Sequence, residues 1–309
     1  WFPTLRYDPA GVADPAFPHV FSPMAAAIRL CDRINTVSPS YAREICRPSD
    51  PSAGFIGGEG LEADLQQRER DGTLIGILNG CAYPATPAIA PPWHELCRLM
   101  DAAVTAWQQR DRDPAMARMH KLARKRLGGL GDDRPRHLLT SVGRIVDQKM
   151  RLMFTRTPTG QPALAALLDR LPDDALLILL GSGEPRFEAE LARIAAKHSN
   201  LLFLRGYSEA VGEALYASGD LFLMPSSFEP CGISQMLAMR AGQPCVVHGV
   251  GGLRDTVRHG ETGFVFEGAD PARQAGAFVD CTADAVALRD NDPDEFDRIR
   301  AAAGRSRFP

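Results

Sequence analysis

Residues 220–242, DLFLMPSSFEPCGISQMLAMRAG, run from a short apolar segment through a polar loop into a helix-spaced one. The segment 220–225 is bounded by Gly219 on one side and Pro225-Ser226-Ser227 on the other, the pattern of a strand buried on both faces. Ile233, Leu237 and Ala241 then recur at helical spacing, with Met236 and Arg240 between them and Gly242 placed as a stop, so a helix is expected to begin near Gly232. The free N–H groups of its first turn, with the positive end of its dipole, would face the carboxyl edge of a sheet, where a phosphate gains charge-assisted hydrogen bonds. Gly232 lets an anion come close to the backbone. A carboxylate at Glu229 is badly placed for phosphate but well placed to accept hydrogen bonds from hydroxyls, such as those of a sugar. The local pattern leaves a second reading open, in which Glu229 and Ser234 only cap the helix.

Working outward, the same strand-then-helix rhythm holds from His137 onward. HLLTSVGRI precedes ALAALLDRL, ALLILLG precedes RFEAELARIAAKH, and NLLFLRG precedes EAVGEALYASG; QPCVVHG precedes GGLRDTV, and GFVFE precedes an alanine-rich stretch from Pro271. Such alternation with short connections predicts right-handed βαβ units and an α/β, doubly wound parallel sheet covered on both faces. Ligands of such sheets sit outside the carboxyl ends of the strands, where the strand order reverses. Earlier in the chain, SPMAAAIRLCDRINTVSPSYAREI reads as helix, strand and helix, the last capped by Ser38 with Pro39 in its first turn. This is expected to be the tail of a second α/β domain. A glycine-rich loop (GFIGGEGLE), a polar helix and the strand-like TLIGILNG follow, and then YPATPAIAPP, residues 83–92, a proline-rich connector. The expected division is therefore residues 1–85, part of one α/β domain, and residues 86–309, a Rossmann-like domain with a helical lead-in over 93–136. Two helices are predicted in that lead-in, at 93–109 and 114–127, the second with Asp113 as N-cap, Pro114 at its first position and Gly128-Gly129 as terminator.

The 309 residues supply ample core for one large or two moderate domains. A formal charge of −3 gives no reason to expect nucleic acid or a membrane surface as partner. Residues 109–137 hold nine Lys/Arg against four Asp, but without interleaved aromatics they read as a solvated helix face rather than a polyanion site. Seven scattered cysteines without a CxxC pair argue against a disulfide framework or a zinc cluster, and a reducing cytoplasm fits them best. The seven histidines show no ligand spacing, so no metal is expected. No run reaches membrane-spanning length and no signal-peptide pattern opens the chain, which begins at Trp1 and is read as processed, truncated or partly observed.

SVGRIVDQK places Arg144 at the end of the first strand of the large sheet and Lys149 five residues on, both able to reach the edge that carries Glu229. Two fixed cations beside a helix N-terminus would stabilise a departing diphosphate, whose charge grows as its bond to carbon breaks. The plainer reading pairs Arg144 with Asp147 and leaves Lys149 in solvent. LGSGEP, residues 180–185, is not a P-loop, since no Gly-Lys-Ser/Thr follows, and reads as a turn. GVGG, residues 249–252, is a weak signal alone, and Asp290-Asn291-Asp292 reads as a solvated turn.

With those residues in hand, the chain resembles the bacterial glycogen synthases and plant starch synthases, retaining glycosyltransferases of the two-domain GT-B type. INTVSPSYAREI, GILNG, SVGRIVDQK, LLGSGEP, GYSEA, PSSFEPCGISQ, GGLRDTV and GETGFVF are similar to that family's segments and come in its order. The resemblance implies transfer of glucose from a nucleoside-diphosphate sugar, ADP-glucose or UDP-glucose, to the non-reducing end of an α-1,4-glucan acceptor with retention of configuration. It implies that Arg144 and Lys149 hold the diphosphate, that Glu229 holds glucose hydroxyls, and that the backbone around Cys231, Gly232, Ile233 and Ser234 holds the distal phosphate. Tyr207 would lie against the nucleobase, Asn79 would reach the donor from the other domain, and neither metal nor cofactor would be used. The sequence departs from the family where Cys81-Ala82-Tyr83, with no acid, follows Asn79-Gly80, and in lacking the family's N-terminal Lys-Thr-Gly-Gly-Leu segment. It is also read as stopping before the final helix that crosses back to the first domain. Two alternatives stay open: a module that binds nucleotide sugar or glucan without turnover, and a GT-B transferase with another acceptor.

Overall fold

The computed structural model describes residues 9–84, 89–111 and 113–308. Part of the proline-rich connector, residues 85–88, and Arg112 of the basic stretch therefore lie outside the described residues.

Two parallel sheets organise the chain. The smaller pairs β1 (Ile34–Thr36) with β2 (Leu74–Gly76), Ile34 opposite Leu74. The larger contains β3 (His137–Val142), β4 (Ala175–Gly181), β5 (Leu201–Arg205), β6 (Leu221–Met224), β7 (Cys245–His248) and β8 (Gly263–Phe266). Its order is β5-β4-β3-β6-β7-β8 with every pair parallel. This is the doubly wound arrangement expected from the alternation, and the order reverses between β3 and β6.

Side-chain alternation along the strands assigns the two faces. Leu139 of β3 with Leu177 and Leu179 of β4 packs into one core beneath the helices Ala163–Arg170 and Pro271–Asn291. Leu138 with Leu176, Ile178 and Leu180 packs into another, against Trp93, Leu96, Met100 and Val104 of the helix Trp93–Arg110. A third core gathers Phe222, Met224, Cys245 and Val247 with Met236 and Met239. Both faces are apolar because both are covered, which is why the strands read as unbroken hydrophobic runs.

Several details depart from expectation. The helix after β6 is Ser234–Arg240, so Gly232 lies outside it, in the left-handed region at φ 77°. Its buried residues are Gln235, Met236, Ala238 and Met239; Ile233 is exposed, and Leu237 and Ala241 are only partly buried. The predicted apolar stripe is thus the outer edge of the packing face. Asp290 is exposed but lies at the end of a long helix rather than in a turn, and there it pairs with Arg136 and meets His137. Asp292 caps the next helix, Pro293–Arg305, by accepting the Glu295 N–H. In the basic stretch, Arg126 turns inward to the carbonyls of Ala195 and Leu201, Arg124 pairs with Asp101, and Arg134 pairs with Asp220. The chain also returns after its last helix: the Phe308 carbonyl accepts the Cys81 N–H, and the Tyr83 hydroxyl accepts the Phe308 N–H.

Candidate active site at the reversal of strand order

The loops leaving β3 and β6 are neighbours because their strands are, and specific bonds join them. The Ser227 N–H donates to the Gln148 carbonyl (2.8 Å), and the Gln148 side-chain amide donates to the Phe228 carbonyl (3.3 Å). Lys149, on the helix Asp147–Phe154, reaches across to Glu229, with Nζ 2.8 Å from Oε2. Glu229 is only 7% exposed, and the Ser226 hydroxyl donates to the same carboxylate oxygen (3.2 Å). Glu229 is therefore no helix cap, and Lys149 is not in solvent. Nor does Arg144 pair with Asp147, whose carboxylate is taken by Arg151 and Arg186. Arg144 is exposed in the loop after β3 and makes no hydrogen bond or ion pair among the described residues. One cation at this edge is thus committed to a carboxylate and the other is uncommitted.

The Glu229 loop is held from three sides. At Gly232 a Cβ would collide with Gln235, whose buried amide donates to the carbonyls of Cys231 and Gly232 and to the Thr256 hydroxyl. On the second side, a Cβ at Gly251 would strike the Glu229 carbonyl and one at Gly252 the Cys231 backbone, while the Gly252 N–H donates to the Glu229 carbonyl (3.0 Å). The GVGG segment, weak as a motif, is needed because two backbones touch here. The third side is the helix Pro39–Glu44. Its N-cap Ser38 donates to the Pro230 carbonyl (2.6 Å), Tyr41 sits edge-on to Phe228, and Glu44 accepts the Gly251 N–H (2.8 Å). Burial raises the Glu44 carboxyl, partly offset by that N–H.

The remaining candidates fall around this loop. Cys231 is buried, its thiol raised by desolvation, and its sulfur accepts the backbone N–H of Asn79, which brings the exposed Asn79 to the site from the smaller sheet. Ser234 hydrogen-bonds with the Tyr216 hydroxyl, which burial pushes up to about 12. Ile233 stands 47% exposed. Tyr207 is 76% exposed, just after β5 and two strands from the reversal point. The structure thus gathers Lys149, Glu229, Asn79 and residues 231–234 directly and places Arg144 on the adjoining loop, with Tyr207 farther along the same edge.

His248 was not singled out by sequence. Buried at the end of β7 and stacked on Phe266, it holds the Ser226 carbonyl through Nδ1 (3.1 Å), directly behind the Ser226–Glu229 bond. Only its position at a strand's carboxyl end could have signalled it. Among the described residues, no cluster of three or more His, Cys, Asp or Glu is arranged to hold a metal, and no helix is long and apolar enough to cross a membrane.

This architecture is that of a GT-B fold. The family model "Glycosyl transferases group 1" matches residues 136–284, and "Starch synthase catalytic domain" matches residues 1–67. A glycogen synthase of Anaeromyxobacter dehalogenans is 38% identical over 235 residues, covering 76% of this chain and 43% of the relative. Another, of an Anaeromyxobacter species, is 35% identical over 258 residues, covering 80% and 47%. The catalytic domain of starch synthase IV from Arabidopsis thaliana, solved with ADP and acarbose, superposes with a TM-score of 0.66 at 26% identity, over 93% of this chain and 55% of that one. The chain belongs to the glycogen and starch synthase family, and it spans about half the length of the curated relatives it matches.

Proposed function

We propose that this chain forms the nucleotide-sugar side of a retaining glucosyltransferase that moves glucose from ADP-glucose to the non-reducing end of an α-1,4-glucan. The observation that carries the reading is the Lys149–Glu229 pair at the β3/β6 reversal, with Arg144 uncommitted on the adjoining loop. A bare carboxylate would repel a diphosphate; one already neutralised by a lysine does not. On donor arrival Lys149 turns its remaining N–H donors to phosphate oxygens while still screening Glu229, whose other oxygen accepts hydrogen bonds from glucose hydroxyls. Arg144 and Lys149 then meet the charge that grows on the diphosphate as its bond to the anomeric carbon breaks, together worth several powers of ten in rate. The amides of residues 232–234 take the distal phosphate and Tyr207 lies against the base. The departing diphosphate accepts the proton of the attacking glucan hydroxyl on the same face of the sugar, which retains configuration. The reading invokes no metal, because two fixed side-chain cations fill that role.

ADP bound to the starch synthase IV relative supports adenine over uracil. The test is a side-by-side titration of ADP-glucose and UDP-glucose, followed by transfer of radiolabelled glucose to glycogen. Tighter binding of ADP-glucose and labelled glycogen are expected. Binding without transfer would leave a donor-binding module, and binding of neither donor would end the proposal.

A further inference from the structure

The turn that carries Tyr207 is anchored by a partly buried chain of polar contacts reaching into a helical hairpin outside the two family-matched segments. Arg205 is the last residue of β5. Its Nε donates to Glu188 (2.9 Å) and its Nη1 donates to Asp111 (2.7 Å), the residue that ends the helix Trp93–Arg110. Glu188 is 1% exposed, and its other oxygen accepts the Gly183 N–H (2.7 Å). Asp111 is shared in turn with the buried His120 of the second hairpin helix, Pro114–Leu127 (2.8 Å). One residue beyond Arg205, Gly206 lies so close to the Trp107 indole that a Cβ would collide with the ring. Tyr207, at 76% exposure, comes next.

A planar guanidinium held on two edges by two carboxylates fixes direction as well as charge, a task a lysine cannot do. We infer that Arg205, clamped between Glu188 and Asp111, is a positioning residue that aims Tyr207 at the base of the nucleotide and so sets affinity at the nucleoside end of the donor. The inference rests on the donor-site reading above.

The test is calorimetric titration of the chain with ADP and with inorganic pyrophosphate. The variant is Arg205→Met combined with Glu188→Gln, which leaves no buried carboxylate without a partner; Asp111→Asn, which keeps the Arg205–Glu188 bond, is the milder companion. ADP affinity should fall about tenfold in the double variant, the scale of one lost base–aromatic stack. Pyrophosphate affinity should stay within about twofold of the parent. In a Tyr207→Ala background the same changes should have no further effect, because their route is already cut. Asp111→Asn should move ADP binding in the same direction by less. Unchanged ADP affinity, or equal losses for both probes alongside a lowered melting midpoint, would overturn the inference while leaving the donor site standing. A parent chain that binds neither probe would overturn the donor site and this inference with it.

Discussion

Arg144 and Lys149 lie five residues apart but should respond differently to removal. Arg144 has no partner among the described residues, so Arg144→Ala should change unfolding free energy by less than about 0.5 kcal/mol, yet weaken ADP binding about tenfold or more. Lys149→Ala strands a carboxylate that is 7% exposed, and breaking a buried pair costs about 3 kcal/mol, so it should lower both stability and binding. Adding Glu229→Gln should restore most of the stability and none of the binding. Thermal melts run beside ADP titrations separate these outcomes. His248 supplies a pH prediction. Burial lowers it from 6.5 to about 4, opposed by its bond to the Ser226 carbonyl and by nearby Glu267, and assisted by Arg254. Between those values the unfolded chain takes up a proton that the folded chain does not, so the contribution is complete above pH 6.5 and is lost as pH falls toward 4. The loss amounts to about 3 kcal/mol, and denaturant melts of His248→Gln should show a correspondingly shallower fall over that range.

At the level of elements, most strands of the larger sheet were readable because they are apolar runs closed by glycine, proline or serine, and the helix Pro39–Glu44 because its cap Ser38 announces its start. The Glu229 loop was readable only in part. Glu229, Cys231 and Gly232 stand at a strand-to-helix junction that a sequence reveals, but their supports come from elsewhere in the chain. Gly251 and Gly252 matter because another backbone passes against them, and no local pattern states which one. Gln235 was not singled out by sequence, and its amide is the buried tie between the loop and Thr256. The apolar stripe on its helix was misplaced because packing depends on which neighbours cover the helix, not on spacing alone. Gly252→Ala forces a methyl group into the Cys231 backbone and should cost about 1–3 kcal/mol, with weaker ADP binding from a displaced loop. A melt and a titration of that one variant check both effects.

Across the whole molecule, the two sheets are coupled at the site itself. The first turn of the helix Pro39–Glu44 docks on the helix Gly251–Thr256, where Asp255 accepts both the Ser40 N–H and its hydroxyl at 2.7 Å. Asp255→Ala leaves those two donors unpaired and should lower unfolding free energy by about 1–3 kcal/mol in denaturant melts. The sequence marked Ser38 as a cap, but its second bond, to Pro230 some 190 residues away, depends on tertiary placement that no cap pattern encodes. The return of Phe308 to Cys81 and Tyr83 escaped notice for the same reason. The most direct test of the central claim is a crystal structure of this chain with ADP. The account predicts both phosphates in the crevice between the β3 and β6 loops, within hydrogen-bonding distance of the Arg144 guanidinium, Lys149 Nζ and the amides of residues 232–234, with Lys149 lying between the phosphates and Glu229. ADP bound elsewhere, or phosphates in that crevice with both cations turned aside, would contradict it.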